Sequence, residues 1–169
     1  MILFISDCLG LFPENTGNSP ADGGAITVND LWKRFESWLA ANALNVLGTL
    51  RKGATPKQIA SAEKVFQTEL PKDFVDFYSI HDGQDHPECF ALHKGGIVNG
   101  CLLLPLKTMF GQWSVLKELH DRGEFKGISG NPDGPIKNDW WNPAWIPLVS
   151  NSSGDHPVCL DLAPKRGGK

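Results

Sequence analysis

The sequence predicts an α+β domain, and three observations carry that expectation. Apolar residues recur at helical spacing through the first half of the chain. Two short apolar runs near the end, Ile146 to Val149 and Val158 to Leu162, flank the polar turn Ser150 to Asp155 and read as strands. Helices first and mainly strands afterwards is the order of an α+β fold, with N-terminal helices beside a mainly antiparallel sheet.

Residues 1–26 divide from the rest by composition. The start is apolar but carries Asp7 and no basic flank, and residues 13–25 are rich in Pro, Gly, Asn and Ser. This segment reads as an extension and linker, and residues 27–169 as the domain. Thr27 or Asn29 caps a first helix of about fifteen residues whose apolar face is Leu31, Phe35, Trp38 and Leu39. Thr55-Pro56-Lys57-Gln58 opens a second helix, with Thr55 and Gln58 forming a capping box and Pro56 at the first helical position. Its inner stripe is Ile59, Ala62 and Phe66.

Leu70 and Pro71 start a third helix with Phe74, Phe77, Tyr78 and His81 on one side, and Gly83 is suited to end it in a left-handed cap. Strands are expected at Cys89 to Leu92 and Cys101 to Leu104. A fourth helix is marked by Met109, Trp113, Leu116 and His120. Gly123 to Asp139 has no sustained period and reads as a long surface loop. In the final strand Val158, Leu160 and Leu162 share one face, with Cys159 and Asp161 on the other.

With 169 residues, 41% hydrophobic and 21% charged, the chain is long enough to bury one substantial core. A formal net charge of −3 argues against direct nucleic-acid or membrane-surface binding and permits a basic partner. Cys8, Cys89, Cys101 and Cys159 are scattered, with no C-x-x-C, so reduced thiols in a cytoplasmic protein are expected rather than a disulfide framework or zinc site.

Three stretches carry a family resemblance. WIPLVSNSSGDHPVCLDLAP, LPKDFVDFYSIHDGQ and LLLPLKTM together resemble the SMI1/KNR4 family of the SUKH superfamily over roughly residues 28–168. The resemblance implies an α+β fold that usually continues past the Gly-Gly turn with a further strand and a helix. This sequence stops at Lys169, so the C-terminal end of the family fold is expected to be missing and a sheet edge unpaired.

His81-Asp82 and Asp85-His86 form a cluster that a metal-dependent hydrolase could use, but Asp-Gly and Asp-His-Pro are also turn chemistry. Capping and turn formation is the preferred reading, and no metal or cofactor is expected. Cys159 gains no base from Asp161, because a neighbouring carboxylate raises a thiol's pKa. Trp140, Trp141 and Trp145 could stack on sugars or bases, but aromatics at a strand start are more often core.

The resemblance implies a noncatalytic protein-binding domain in one of two roles. The first is an immunity protein that neutralises a cognate bacterial toxin domain, such as a nuclease. Its partner-binding acids would be Asp82, Asp85 and Glu88, Asp133 and Asp139, and Asp155, exposed in three turns facing a basic surface. The second is a regulatory scaffold in cell-wall synthesis or signalling, and an enzyme using His81 and Asp82 is the remaining alternative.

Overall fold

The computed structural model describes residues 26–85, 102–132, 136–151 and 157–164. The expected strand Cys89 to Leu92, the cysteines at 8, 89 and 101, and His86, Glu88, Asp133 and Asp155 lie outside these residues.

Helix α1 spans Val28–Asn42, followed by the single turn α2, Leu44–Leu47, which the sequence pattern did not indicate. Thr27 caps α1 in a capping box with Asp30 at the third helical position. The buried stripe of α1 is Val28, Trp32, Phe35 and Leu39, whereas Trp38 is 38% exposed. At 100° per residue Trp38 lies roughly 90° round from the centre of that stripe, while Trp32 lies within it. The expected face was therefore rotated too far towards Trp38.

Helix α3, Pro56–Phe66, has the anticipated box, with the Thr55 hydroxyl accepting from the Gln58 N–H and the Gln58 side chain accepting from the Thr55 N–H. Ile59, Ala62 and Phe66 are buried along it. Helix α4, Lys72–Ile80, follows Pro71 and buries Phe74 and Tyr78. It ends without a left-handed cap, because His81 at its C-cap is extended. Gly83 does take positive φ, at +74°, but for a different reason. A Cβ there would lie 2.4 Å from the Pro105 nitrogen, so only glycine lets the two backbones meet.

Strand β1 (Leu102–Leu103), helix α5 (Leu106–Asp121), strand β2 (Trp145–Ser150) and strand β3 (Val158–Asp161) complete the described elements. The strands form an antiparallel sheet in the order β1-β2-β3, with Leu103 opposite Val149 and Ile146 opposite Leu160. β2 is thus central, yet it contains Pro147, which has no N–H to give the ladder. The register with β3 shifts between Pro147 and Val149, an irregularity at the place where proline is tolerated. β3 is half-buried at every position, so its alternation does not separate into a buried and a solvent face.

One core joins the two halves. α1 packs on α4, α3 on α5, and α5 on β2, so that Phe74, Met109 and Ile146 lie fully buried together with Tyr78. Trp113 fills the space between α5 and the start of β2, and its indole N–H donates to the Pro143 carbonyl at 3.0 Å.

Candidate functional site

The segment His81 to Asp85 leaves α4 and runs between two other pieces of backbone. On one side the Arg51 N–H donates to the Gly83 carbonyl at 2.9 Å and the Asp85 N–H to the Thr49 carbonyl at 2.8 Å. On the other the Gln84 N–H donates to the Leu103 carbonyl at 2.9 Å. The Gln84 side chain, 2% exposed, accepts from the Leu103 N–H and donates to the Thr49 hydroxyl. A side-chain amide can do both at once, so Gln84 bridges the Thr49 segment and β1 where backbone groups alone would leave orphans.

Asp82 was expected in an exposed turn and is instead buried, at 4% exposure. The physical reason lies across the fold. Helix α5 begins after Pro105, which offers no side-chain cap, and the Leu106 N–H donates to Asp82 Oδ1 at 2.8 Å. A carboxylate carried by a different segment thus satisfies the helix start, where the partial positive charge of the dipole also favours it. Arg51 stands nearby, with Nε 3.9 Å from Asp82 Oδ2 and Nη1 2.5 Å from Asp85 Oδ1. Burial raises the Asp82 pKa above the ordinary carboxylate value, while the Leu106 N–H and the Arg51 charge pull it down. Burial, with Asp82 adding its negative charge, also holds the Tyr78 hydroxyl well above its usual range.

His81 is engaged at both ring nitrogens. Nδ1 lies 2.8 Å from the Arg51 carbonyl and Nε2 2.6 Å from Glu36 Oε1. Both ring nitrogens thus have an oxygen partner, and the ring meets Trp32 in a T-shaped contact with centroids 4.7 Å apart. The His-Asp pair is therefore a structural staple between α1, α4 and α5. Among the described residues no group of three or more His, Cys, Asp or Glu side chains is placed to hold a metal ion.

Of the other acids, Asp85 is exposed and paired to Arg51. Asp139 is also exposed and accepts from the Asn142 side chain at 3.3 Å. Burial first, then the charge of Asp161, pushes the Cys159 thiol up to about 11.

A surface cleft of about 320 Å3 opens beside the end of α5. Its aromatic lining is His120, Phe125, Trp140 and Trp141, joined by Ile128 and by the polar side chains of Lys126 and Asp139. Trp141 is buried and held edge-on by Trp113 and by His120, whereas Trp140 is 57% exposed. The Trp-rich stretch was thus expected as core, and for Trp140 that expectation fails. A signal was present in the doubled tryptophan, since side chains at adjacent positions do not share one face of a helix or a strand. Arg51 and Gln84 carried no such local signal, because both act on residues more than fifteen positions away.

A helical layer on a short antiparallel sheet, tied by a buried polar staple and bearing an aromatic surface cleft, defines an α+β domain. Residues 53–169 match the SMI1 / KNR4 family (SUKH-1), and the chain belongs to that family. It is 25% identical over 154 residues to the cell wall biosynthesis/cell cycle regulator smi1 of Schizosaccharomyces pombe, covering 84% of this chain and 30% of that protein. It is also 25% identical over 187 residues to the cell wall assembly regulator SMI1 of Saccharomyces cerevisiae, covering 92% and 36%. A glucan synthesis regulatory protein of Neurospora crassa is 24% identical over 167 residues, covering 79% and 30%. The chain spans about a third of the length of these relatives. No helix among the described residues is long and apolar enough to cross a membrane.

Proposed function

We propose that this chain is a noncatalytic protein-binding domain that serves as a regulatory scaffold in cell-wall synthesis or signalling. The observation that carries the reading is its alignment, over 79–92% of its length, with fungal proteins named as cell-wall or glucan-synthesis regulators. Two features support it. The polar side chains of the family-like turn, His81, Asp82 and Gln84, are engaged in holding the fold. The aromatic cleft supplies a surface outside that staple. A toxin-neutralising role, the first expectation from the sequence, has less support, because these relatives are named as regulators and Asp82 is withdrawn from the proposed acidic surface.

The test is an exchange. The matching segment of the Saccharomyces cerevisiae regulator is replaced by this chain in cells lacking the native protein, and growth on a wall-perturbing dye is scored. The reading expects growth restored towards that of wild-type cells. A chimera that accumulates to normal levels yet leaves cells as sensitive as the deletion rejects it.

A further inference from the structure

His81 ends α4 at a junction of three segments, and two oxygens fix its ring. The Arg51 carbonyl lies 2.8 Å from Nδ1, and Glu36 Oε1, from α1, lies 2.6 Å from Nε2. A carbonyl oxygen can only accept, so in this arrangement Nδ1 carries a hydrogen. A neutral ring of that form turns the bare lone pair of Nε2 towards the carboxylate. Two acceptors 2.6 Å apart repel unless a hydrogen stands between them. The contact therefore needs one proton more than a neutral imidazole and an ionised Glu36 hold together. With that proton the pair is a charge-assisted hydrogen bond.

The surroundings single out Glu36 as the charge in contact with the ring. The His81 side chain is 17% exposed, against 37% for Glu36, and Trp32 of α1 meets the ring edge-on. The Arg51 guanidinium, from the segment before α3, is turned to Asp82 and Asp85. Asp82 caps the start of α5 through the Leu106 N–H, and the Tyr78 hydroxyl of α4 donates to the Leu104 carbonyl. Lys33 and Arg34 of α1 and Lys52 are exposed. The helix that this pair ties down is α1, which lies on α4 with Trp32 against Phe77 at 4.7 Å. Histidine is also the side chain that ordinarily changes charge between pH 5 and 8.

We propose that Glu36 and His81 form a proton-dependent latch, which fastens α1 to the end of α4 at low pH and loosens it as pH rises. The sign follows from linkage: the closed latch binds a proton that the open one holds less tightly, so raising pH favours opening. Amide hydrogen exchange of the 169-residue chain, corrected for the pH dependence of the intrinsic rate, is followed for α1 and α3 from pH 5.5 to 9. The ring nitrogen signals of His81, assigned from His81→Gln, are recorded by NMR over the same range. Both nitrogens should carry hydrogen at the acid end and one at the alkaline end. Protection of α1 relative to α3 should fall about tenfold across that change. In Glu36→Gln the side-chain amide can donate to a neutral Nε2, so the ratio should change by less than about twofold. Asp82→Asn, which removes the neighbouring titratable carboxylate, should keep the tenfold fall.

The latch is overturned if the ring keeps the same number of hydrogens throughout the range. It is equally overturned if α1 protection stays level while the ring loses its hydrogen, or if Glu36→Gln shows the same fall. Should Glu36→Gln fail to fold, the comparison of ring signals with α1 protection in the unaltered chain decides alone.

Discussion

Asp82 holds a carboxylate where little water reaches it, and the fold uses it as a cap. Asp82→Ala leaves the Leu106 N–H without its partner and should lower stability by about 0.5–2 kcal/mol in urea unfolding at pH 7. Asp82→Asn keeps an acceptor in place and should lose less. The pH dependence has a definite sign. Because burial raises the folded pKa, the contribution of Asp82 is fully present below its unfolded value and declines as pH rises through the raised folded value. Relative to Asp82→Asn, the wild-type chain should therefore lose stability as pH climbs from about 4; a flat difference would show that the shift is absent. Cys159 gives a second check at this scale. With its thiol raised to about 11, it should react slowly with iodoacetamide at pH 8 and speed up only towards pH 11. Intact mass of a Cys8→Ser, Cys89→Ser, Cys101→Ser variant reads this out, and rapid alkylation at pH 8 would contradict the burial.

The helices show which features were legible in the sequence. Thr55, Pro56 and Gln58 act within four residues of each other, so the start of α3 could be read from spacing alone. The start of α5 could not, because its cap comes from Asp82, twenty-four residues earlier and on another segment. The same limit applies to Gly83, whose glycine requirement was visible but whose reason, contact with Leu104 and Pro105, is tertiary. Periodicity likewise located α1 but left its rotation open by about a quarter turn, and packing decided for Trp32 over Trp38. At this scale Gly83→Ala should destabilise by more than about 1 kcal/mol, since the new side chain meets both positive φ and the Pro105 backbone. Chemical unfolding measures it, and an unchanged midpoint would mean the two segments can separate without cost.

Across the whole molecule, the core does not begin where the family match begins. The match starts at residue 53, yet α1 contributes Val28, Trp32, Phe35 and Leu39 to the same core as Met109 and Ile146. Burying four such side chains stabilises by about 6–12 kcal/mol, comparable to the roughly 5–15 kcal/mol that holds a typical domain. A chain of residues 27–169 should therefore unfold cooperatively near the midpoint of the 169-residue chain, whereas residues 53–169 alone should not. Cooperative melting of the shorter piece in circular dichroism would place α1 outside the folding unit. The α+β class was legible because helical stripes and strand runs are local. The cleft was not, because Phe125, Ile128 and Trp140 come together only once α5 and β2 are packed.

The position of the polar staple also bears on how the chain is made. A ribosome delivers α1 to α4 before any strand of the sheet, yet Gln84 and Asp82 find their partners only at Leu103 and Leu106. The parts of these helices that pack on α5 and the sheet, Phe66 and Tyr78 among them, stay uncovered until those segments emerge, an interval on the order of seconds at roughly 5–20 residues per second. The nascent chain thus spends those seconds with Phe66 and Tyr78 open to chaperones, and the core closes only once α5 and the sheet have been made.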